Sequence, residues 1–291
     1  MALYENPEIP EGINVTPQHP LKEFSILLGA SVAIIFALVL TLSSLAGYLV
    51  RYVPFAQEKA LLSGLNSAWF KPQETDAARQ KQQYLQTLAD QLADKMALPS
   101  DMTITVHYSA DKTVNAMATL GGNIMVFQGL IDVLPNENAL AMVMAHEIAH
   151  IQHRHPIMAL GRGFTVMLAL SAMTGVGDGM MQQWVGSMGM LTLLSFSREQ
   201  EAEADADALQ ALLRQYGHVD GASAFFEYAA GQSRLELTAM LSSHPGLEER
   251  IARIHLFEQG QPASKNHVLQ SLPVYLKNQA QLKIPADGII K

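Results

Sequence analysis

The sequence predicts an α+β protein: a mainly α-helical domain with a small β-sheet, behind one N-terminal transmembrane helix. Three observations lead there. An uncharged apolar run, 24–50, is long enough to cross the roughly 30 Å hydrocarbon core as a helix. Segments with apolar residues at helical spacing follow, beginning with 76–96. Between the helical stretches lie three short strand-like runs. Composition bounds the rest. The 291 residues have a positive mean hydropathy and a net charge of −8. No basic stripe is present, which argues against a nucleic-acid partner. Cysteine is absent, so a disulfide scaffold and a thiolate-ligated metal are excluded, and any metal must use His, Asp or Glu. Fifteen methionines, most of them mid-chain, read as adaptable packing of apolar helices.

Taken in order, residues 1–23 form an arm, rich in proline over 1–20 and without apolar periodicity. Asn14-Val15-Thr16 matches a glycosylation sequon, with no other sign of eukaryotic secretion. The run 24–50 is the anchor. It is too long for a signal-peptide core and lacks a convincing cleavage site. Lys22 precedes it, and Arg51 and Lys59 follow. That excess favours a cytoplasmic carboxyl side, by a rule that weakens when a large domain follows. Pro54 then breaks the helix. Residues 58–65 and 76–96 read as helices, the second burying Tyr84, Leu85, Leu88, Leu92 and Met96 on one face. Residues 102–108, 113–119 and 123–127 read as strands, with Gly121-Gly122 turning the chain between the last two. His107, in the first strand, reads as a surface or packing residue.

The next helix carries His146-Glu147-Ile148-Ala149-His150 after a run of helix formers, with Asn136 as its cap. Residues four apart lie about 40° apart round a helix, so His146 and His150 share a face and can hold one Zn²⁺. Glu147 is about 100° away and can reach a water on the metal as general base. The bland alternative is an amphipathic helix with two solvated histidines. Pro156 disfavours helix at His155, so the helix ends there. His153 is displaced by about 60° from His150 and reads as a fraying-turn residue rather than a ligand.

Two apolar runs follow, 164–176 and 185–196, joined by glycine-rich 175–179. Each is short for a full membrane span, and three readings stand open: core helices, a lid over the site, or helices in the membrane surface. No preceding βαβ strand and no following Lys support a nucleotide loop there. Residues 197–215 form an acidic helix with Glu199, Glu201, Glu203, Asp205 and Asp207, most of which read as a solvated face. Glu201 and Asp205 are four apart and stack on one side. Glu201 can be a third metal ligand, and Asp205 can hydrogen-bond a histidine ligand from behind. Residues 220–231 read as a short helix with core aromatics, 242–246 as a loop and 247–259 as a helix. From 259 to 291 the chain reads as a tail or a peripheral packing segment.

Five segments now stand in order: Gly121-Gly122-x-Ile124-x-Val126-x-x-Gly129-Leu130, His146-Glu147-x-x-His150, Arg154-His155-Pro156, Ser197-Arg198-x-x-Glu201-x-x-Ala204-Asp205 and His244-Pro245-x-x-x-x-Arg250. Together they resemble the M48 zinc metallopeptidases over roughly 55–258. The resemblance implies a zincin-like domain with one Zn²⁺ on His146, His150 and Glu201, a water in the fourth position and Glu147 as catalytic base. It also implies that Asn115-Ala116-x-Ala118 belongs to an edge strand that pairs with an extended polypeptide substrate. His244 would lie near the metal, either donating to the developing oxyanion or occupying the open coordination site at rest. Arg250 would position it, or simply pair with Glu249. One transmembrane segment stands where multi-span members have several, so cleavage within the lipid core is not expected.

The expected function is membrane-anchored, zinc-dependent endopeptidase activity on unfolded or damaged proteins, in membrane or envelope quality control. The competing class is a membrane-tethered, chaperone-like binding module with latent or no protease activity. The expected location is a cell inner membrane, single-pass, with the domain on the periplasmic side, against the local charge count.

Overall fold

The structure is a computed structural model that describes residues 19–63, 70, 74–174, 195–232, 243–261 and 267–278. The chain divides into two compact units, Met1–Leu42 and Ser43–Lys291. The first, as described from residue 19, consists of most of helix α1 (Pro20–Leu49). Its large apolar side chains are exposed, among them Phe24, Leu27, Ile34 and Phe36. No charge interrupts 24–50, and the helix is long and apolar enough to cross a membrane.

The second unit opens with the last turns of α1, continues into α2 (Phe55–Ser63) and then α3 (Asp76–Met96). Thr75 caps α3 by accepting from the Ala78 N–H, and Leu85, Leu88, Leu92 and Met96 are buried. Tyr84 is half-buried and donates its hydroxyl to Glu137. The strands are β1 (Thr105–Ser109), β2 (Ala116–Ala118) and β3 (Asn123–Phe127). The first two are shorter than their alternation suggests, because only these residues find ladder partners.

The sheet order is β1-β3-β2. β1 runs parallel to β3 with Thr105 opposite Asn123, and β2 runs antiparallel with Ala116 opposite Val126. The turn between β2 and β3 needs glycine: Gly122 has φ +80°, and a Cβ there would stand 2.0 Å from the Thr103 carbonyl oxygen. The two edges differ. The outer backbone of β1 is covered by glutamines of α3, since Val106 N–H donates to Gln86 Oε1 (2.8 Å) and Gln86 Nε2 donates to the Ile104 carbonyl (3.1 Å). Tyr108 N–H donates to Gln82 Oε1 at 3.3 Å. The other edge, β2, lies beside the helix that carries the paired histidines.

After α4 (Gln128–Val133) comes that helix, α5 (Glu137–Gln152). Asn136 caps it by accepting from the Ala139 N–H at 2.9 Å. Every residue from Asn138 to Ile151 is buried, so α5 is a central core helix rather than an amphipathic surface one. It ends at Gln152, ahead of Pro156 as expected. The proline does not open a loop, however. Arg154 takes a left-handed φ of +62°, and α6 (His155–Thr174) begins at once with Pro156 in its first turn, where a missing N–H costs nothing. The apolar run 164–176 therefore lies largely in α6. The run 185–196, apart from its last two residues, and the 175–179 connection lie outside the described residues.

The acidic helix is α7 (Arg198–Tyr216), opened by a capping box between Ser197 and Gln200 and closed by Gly217 at φ +77°. Then come α8 (Ala224–Ala230) and α9 (Leu247–Gln259). Residues 267–278 run back over the domain. Glu137 N–H donates to the Gln270 carbonyl (2.8 Å), Gln128 Nε2 to the Leu276 carbonyl (3.0 Å), and the Leu276 side chain is fully buried.

Candidate metal centre

α5 and α7 cross so that one face of each meets the other in the core. His146 Nε2 and His150 Nε2 stand 2.9 Å apart, and each is 3.4 Å from a Glu201 carboxylate oxygen. His244 enters from the loop before α9, with Nδ1 3.0 Å from Glu201 and 3.3 Å from His146 Nε2. All four side chains are buried, and one ligand atom from each falls within 4.8 Å of the others. Donors about 2.1 Å from one tetrahedral ion stand about 3.4 Å from each other, so this spacing fits a Zn²⁺-sized cation among them.

The other nitrogen of each histidine is held from behind. Asp205 Oδ1 is 3.0 Å from His146 Nδ1, the contact expected from its position one turn after Glu201. His150 Nδ1 is 2.8 Å from His155 Nδ1, and His155 Nε2 lies 3.4 Å from Glu203. The ring of Phe196 stacks on His150 with centroids 3.9 Å apart. Sequence reasoning gave no role to His155 or Phe196. His155 is five residues beyond His150 and past a helix break, so helical spacing does not connect them; the left-handed turn at Arg154 does. The tripeptide Arg154-His155-Pro156 was the one available signal. His153 points elsewhere, to Asp207 (2.6 Å) and Glu203 (3.3 Å), so part of the acidic helix partners histidines instead of water.

Arg250 pairs with neither of the partners foreseen for it. Its guanidinium spans α7, with Nη1 2.7 Å from Glu201, Nη2 2.7 Å from Asp205 Oδ1 and Nε 2.9 Å from Asp205 Oδ2. It also lies over the Phe226 ring at 4.5 Å. Glu249 instead meets Arg198 at 2.6 Å.

These charges set the titration of the site. Burial and the Arg250 charge oppose protonation of His146, but the carboxylates of Asp205 and Glu201 outweigh them and raise it to about 9. Burial favours a neutral Glu201, yet His244 and His146 hold it well below the usual carboxylate range. Asp205 is held low against its burial chiefly by Arg250. Burial, with the charge of His146, drives His150 down. Burial, then His153, pushes His155 down to about 3. A neutral His155 can accept the His150 Nδ1 proton, leaving the Nε2 lone pair of His150 for a metal. Replacing His155 with alanine should weaken Zn²⁺ binding by about 10–100-fold. Competition against a chromogenic chelator measures this, and His155→Asn, which keeps an acceptor, should recover part of it.

Glu147 lies beside the four donors without being one of them. Its Oε2 accepts the Ala118 N–H at 2.6 Å, and its Oε1 is 3.6 Å from His244 Nε2. A small cavity of about 10 Å³, room for roughly one water, lies here between Ala116, Val143, Glu147, Phe225, Phe226 and His244. The candidate substrate strand is only partly as expected. The Asn115 carbonyl and the Thr119 N–H are used within the sheet, by Phe127 N–H (3.2 Å) and the Asn123 carbonyl (2.7 Å). Alternation therefore turns the backbone groups of Ala116 and Ala118 away from β3, and those of Asn115 towards it. The Asn115 side chain is buried, and its Oδ1 has no hydrogen-bond partner among the described residues.

Paired helix-borne histidines, a carboxylate from a second helix and an adjacent glutamate define the class as a metallopeptidase domain. The chain belongs to Peptidase family M48, whose model matches residues 79–257. It is 32% identical over 160 residues to mitochondrial metalloendopeptidase OMA1 of Schizosaccharomyces pombe, covering 53% of this chain and 47% of that protein. It is 34% identical over 149 residues to metalloprotease LoiP of Escherichia coli, covering 49% and 58%. It is 31% identical over 160 residues to the beta-barrel assembly-enhancing protease of the same bacterium, covering 48% and 31%. The chain thus spans from under a third to somewhat over half of these relatives' length.

Proposed function

We propose that the chain is a zinc metalloendopeptidase, held to a membrane by residues 24–50, that cleaves unfolded or damaged polypeptides with a catalytic domain over about 55–258. The observation that carries this reading is the convergence of His146, His150 and Glu201 on one point, with Glu147 beside it and bonded to the edge strand. Kinship with peptidases disfavours the chaperone-like alternative.

His146, His150 and Glu201 would hold the Zn²⁺. When bound, it supplies Lewis acidity, lowering the pKa of a water towards about 7 and stabilising negative charge on a carbonyl oxygen. Glu147 takes the proton of the attacking water and returns it to the leaving amine. The Ala118 N–H fixes the carboxylate for this work. The outward groups of Ala116 and the Ala118 carbonyl hold the substrate backbone as an added strand. His244 would lie beside the ion, where its ring can donate to the developing oxyanion. Arg250 and Asp205 keep Glu201 and His146 in place.

The test is digestion of a reduced, unfolded polypeptide such as casein by the full chain in detergent. Cleavage should vanish with a chelator and return with Zn²⁺; cleavage that persists in chelator sinks the reading. The same groups set a pH dependence. Below about 9 the proton on His146 must leave before a metal binds, so affinity should rise with pH. Between pH 7 and 9 the expected gain is about tenfold per unit. Calorimetry in buffers of different ionisation enthalpy should register one proton released.

A cell inner membrane with the domain on its periplasmic face fits envelope quality control. Arg51 and Lys59 count towards the opposite side, a count of little weight ahead of a large domain. Protease accessibility in spheroplasts decides between the two sides.

A further inference from the structure

The reading of α1 as an anchor leaves α6 unexplained. Its first two turns pack against the last turns of α1. Ser43 donates to the Arg162 carbonyl at 3.1 Å. A Cβ on Gly47 would stand 2.7 Å from Arg162 Cγ, and one on Gly161 would stand 2.9 Å from Val50 Cγ2. Such contacts between glycines and neighbouring helices mark close backbone approach. The contacts pair 43 with 162 and 47 with 158, so the last turns of α1, from Ser43, and the first turns of α6 run in opposite senses.

Beyond Arg162, α6 carries no charge as far as Thr174. Phe164, Val166 and Leu168 are 47%, 41% and 47% exposed. At 100° per residue these three point to opposing sides of the helix. A helix that packed on its own domain would hide one apolar stripe and show polar residues elsewhere. This one shows apolar side chains on both sides, and it does so where the chain leaves its membrane-crossing helix.

We infer that residues 163–174 of α6 insert into the same bilayer as α1, contacting lipid acyl chains as a second membrane element. Twelve residues extend about 18 Å, over half the depth of a 30 Å hydrocarbon core and short of a full crossing. The insertion starts at Arg162, whose charge stays at the interface. Because α6 begins at His155, directly behind His150, the bilayer would hold the metal centre through two helices rather than one tether. The inference rests on the anchor reading of α1.

The absence of cysteine makes the test direct. V166C and L168C each place a single thiol in the full chain, reconstituted in phosphatidylcholine vesicles. I34C in α1 and L256C on the exposed face of α9 serve as references. A membrane-impermeant maleimide should modify V166C and L168C at least about tenfold more slowly than L256C, since the reagent does not enter hydrocarbon. Nitroxides at the same two positions should collide more often with dissolved oxygen than with an aqueous nickel chelate. Labelling as fast as L256C would put α6 in water and overturn the inference. Protection from both maleimide and oxygen would bury α6 under protein and overturn it equally. Rapid labelling of I34C would overturn the anchor reading itself, which distinguishes the two failures.

Discussion

Replacing Glu147 with glutamine is expected to lower turnover by about 10²–10⁴-fold, the usual contribution of a positioned general base. The amide oxygen can still accept the Ala118 N–H, so the strand and the fold should persist. Zinc content should stay near one per chain, because Glu147 is not among the four clustered donors. Turnover is measured with a quenched fluorogenic peptide, and metal by elemental analysis of the same sample. Normal cleavage by this variant would show that the proton is handled elsewhere.

Arg250→Ala should be the most damaging change to stability near the site. Arg250 is fully buried and faces two buried carboxylates, Glu201 and Asp205. Removing it leaves their charges with less compensation, for which the expected cost is about 3–5 kcal/mol. Part of that loss should return on adding Zn²⁺, since a cation on Glu201 replaces some of the missing charge and stabilises the folded state by mass action. Arg250→Lys should fall between, because an ammonium keeps the charge and loses the fork that grips Asp205 at two oxygens. Denaturant titrations with and without chelator check all three. A stability unchanged within about 0.5 kcal/mol, the range of ordinary surface substitutions, would mean that the carboxylates find other partners.

The sequence made legible what depends on local spacing. Helical period placed α3 at Asp76–Met96, and β3 and α9 fall where alternation and periodicity put them. Glu201 was legible because four-residue spacing to Asp205 singled it out of an acidic run. What stayed hidden depends on chain segments meeting in space. No local pattern ties Phe196 to His150, or Gln82 and Gln86 to the backbone of β1. Arg250 was read against its neighbour Glu249, whereas burial delivers it to α7. Asn115 was placed with the substrate strand by motif, but the register of β2 against β3 turns its backbone inward. That parity is a property of the pairing and not of the tripeptide.

The two edges of the small sheet carry a final consequence. With β1 sealed by glutamines, β2 is the edge at which the proposed substrate strand would join this sheet, and it adjoins the candidate metal site. One donor of that edge, the Ala118 N–H, is already taken by Glu147, so an incoming strand would find few anchoring points and few sequence demands. Selection would then fall on a physical state rather than on a motif. A polypeptide would qualify by having a stretch of backbone not yet committed to its own hydrogen bonds, and a neighbour that has finished folding would pass by uncut.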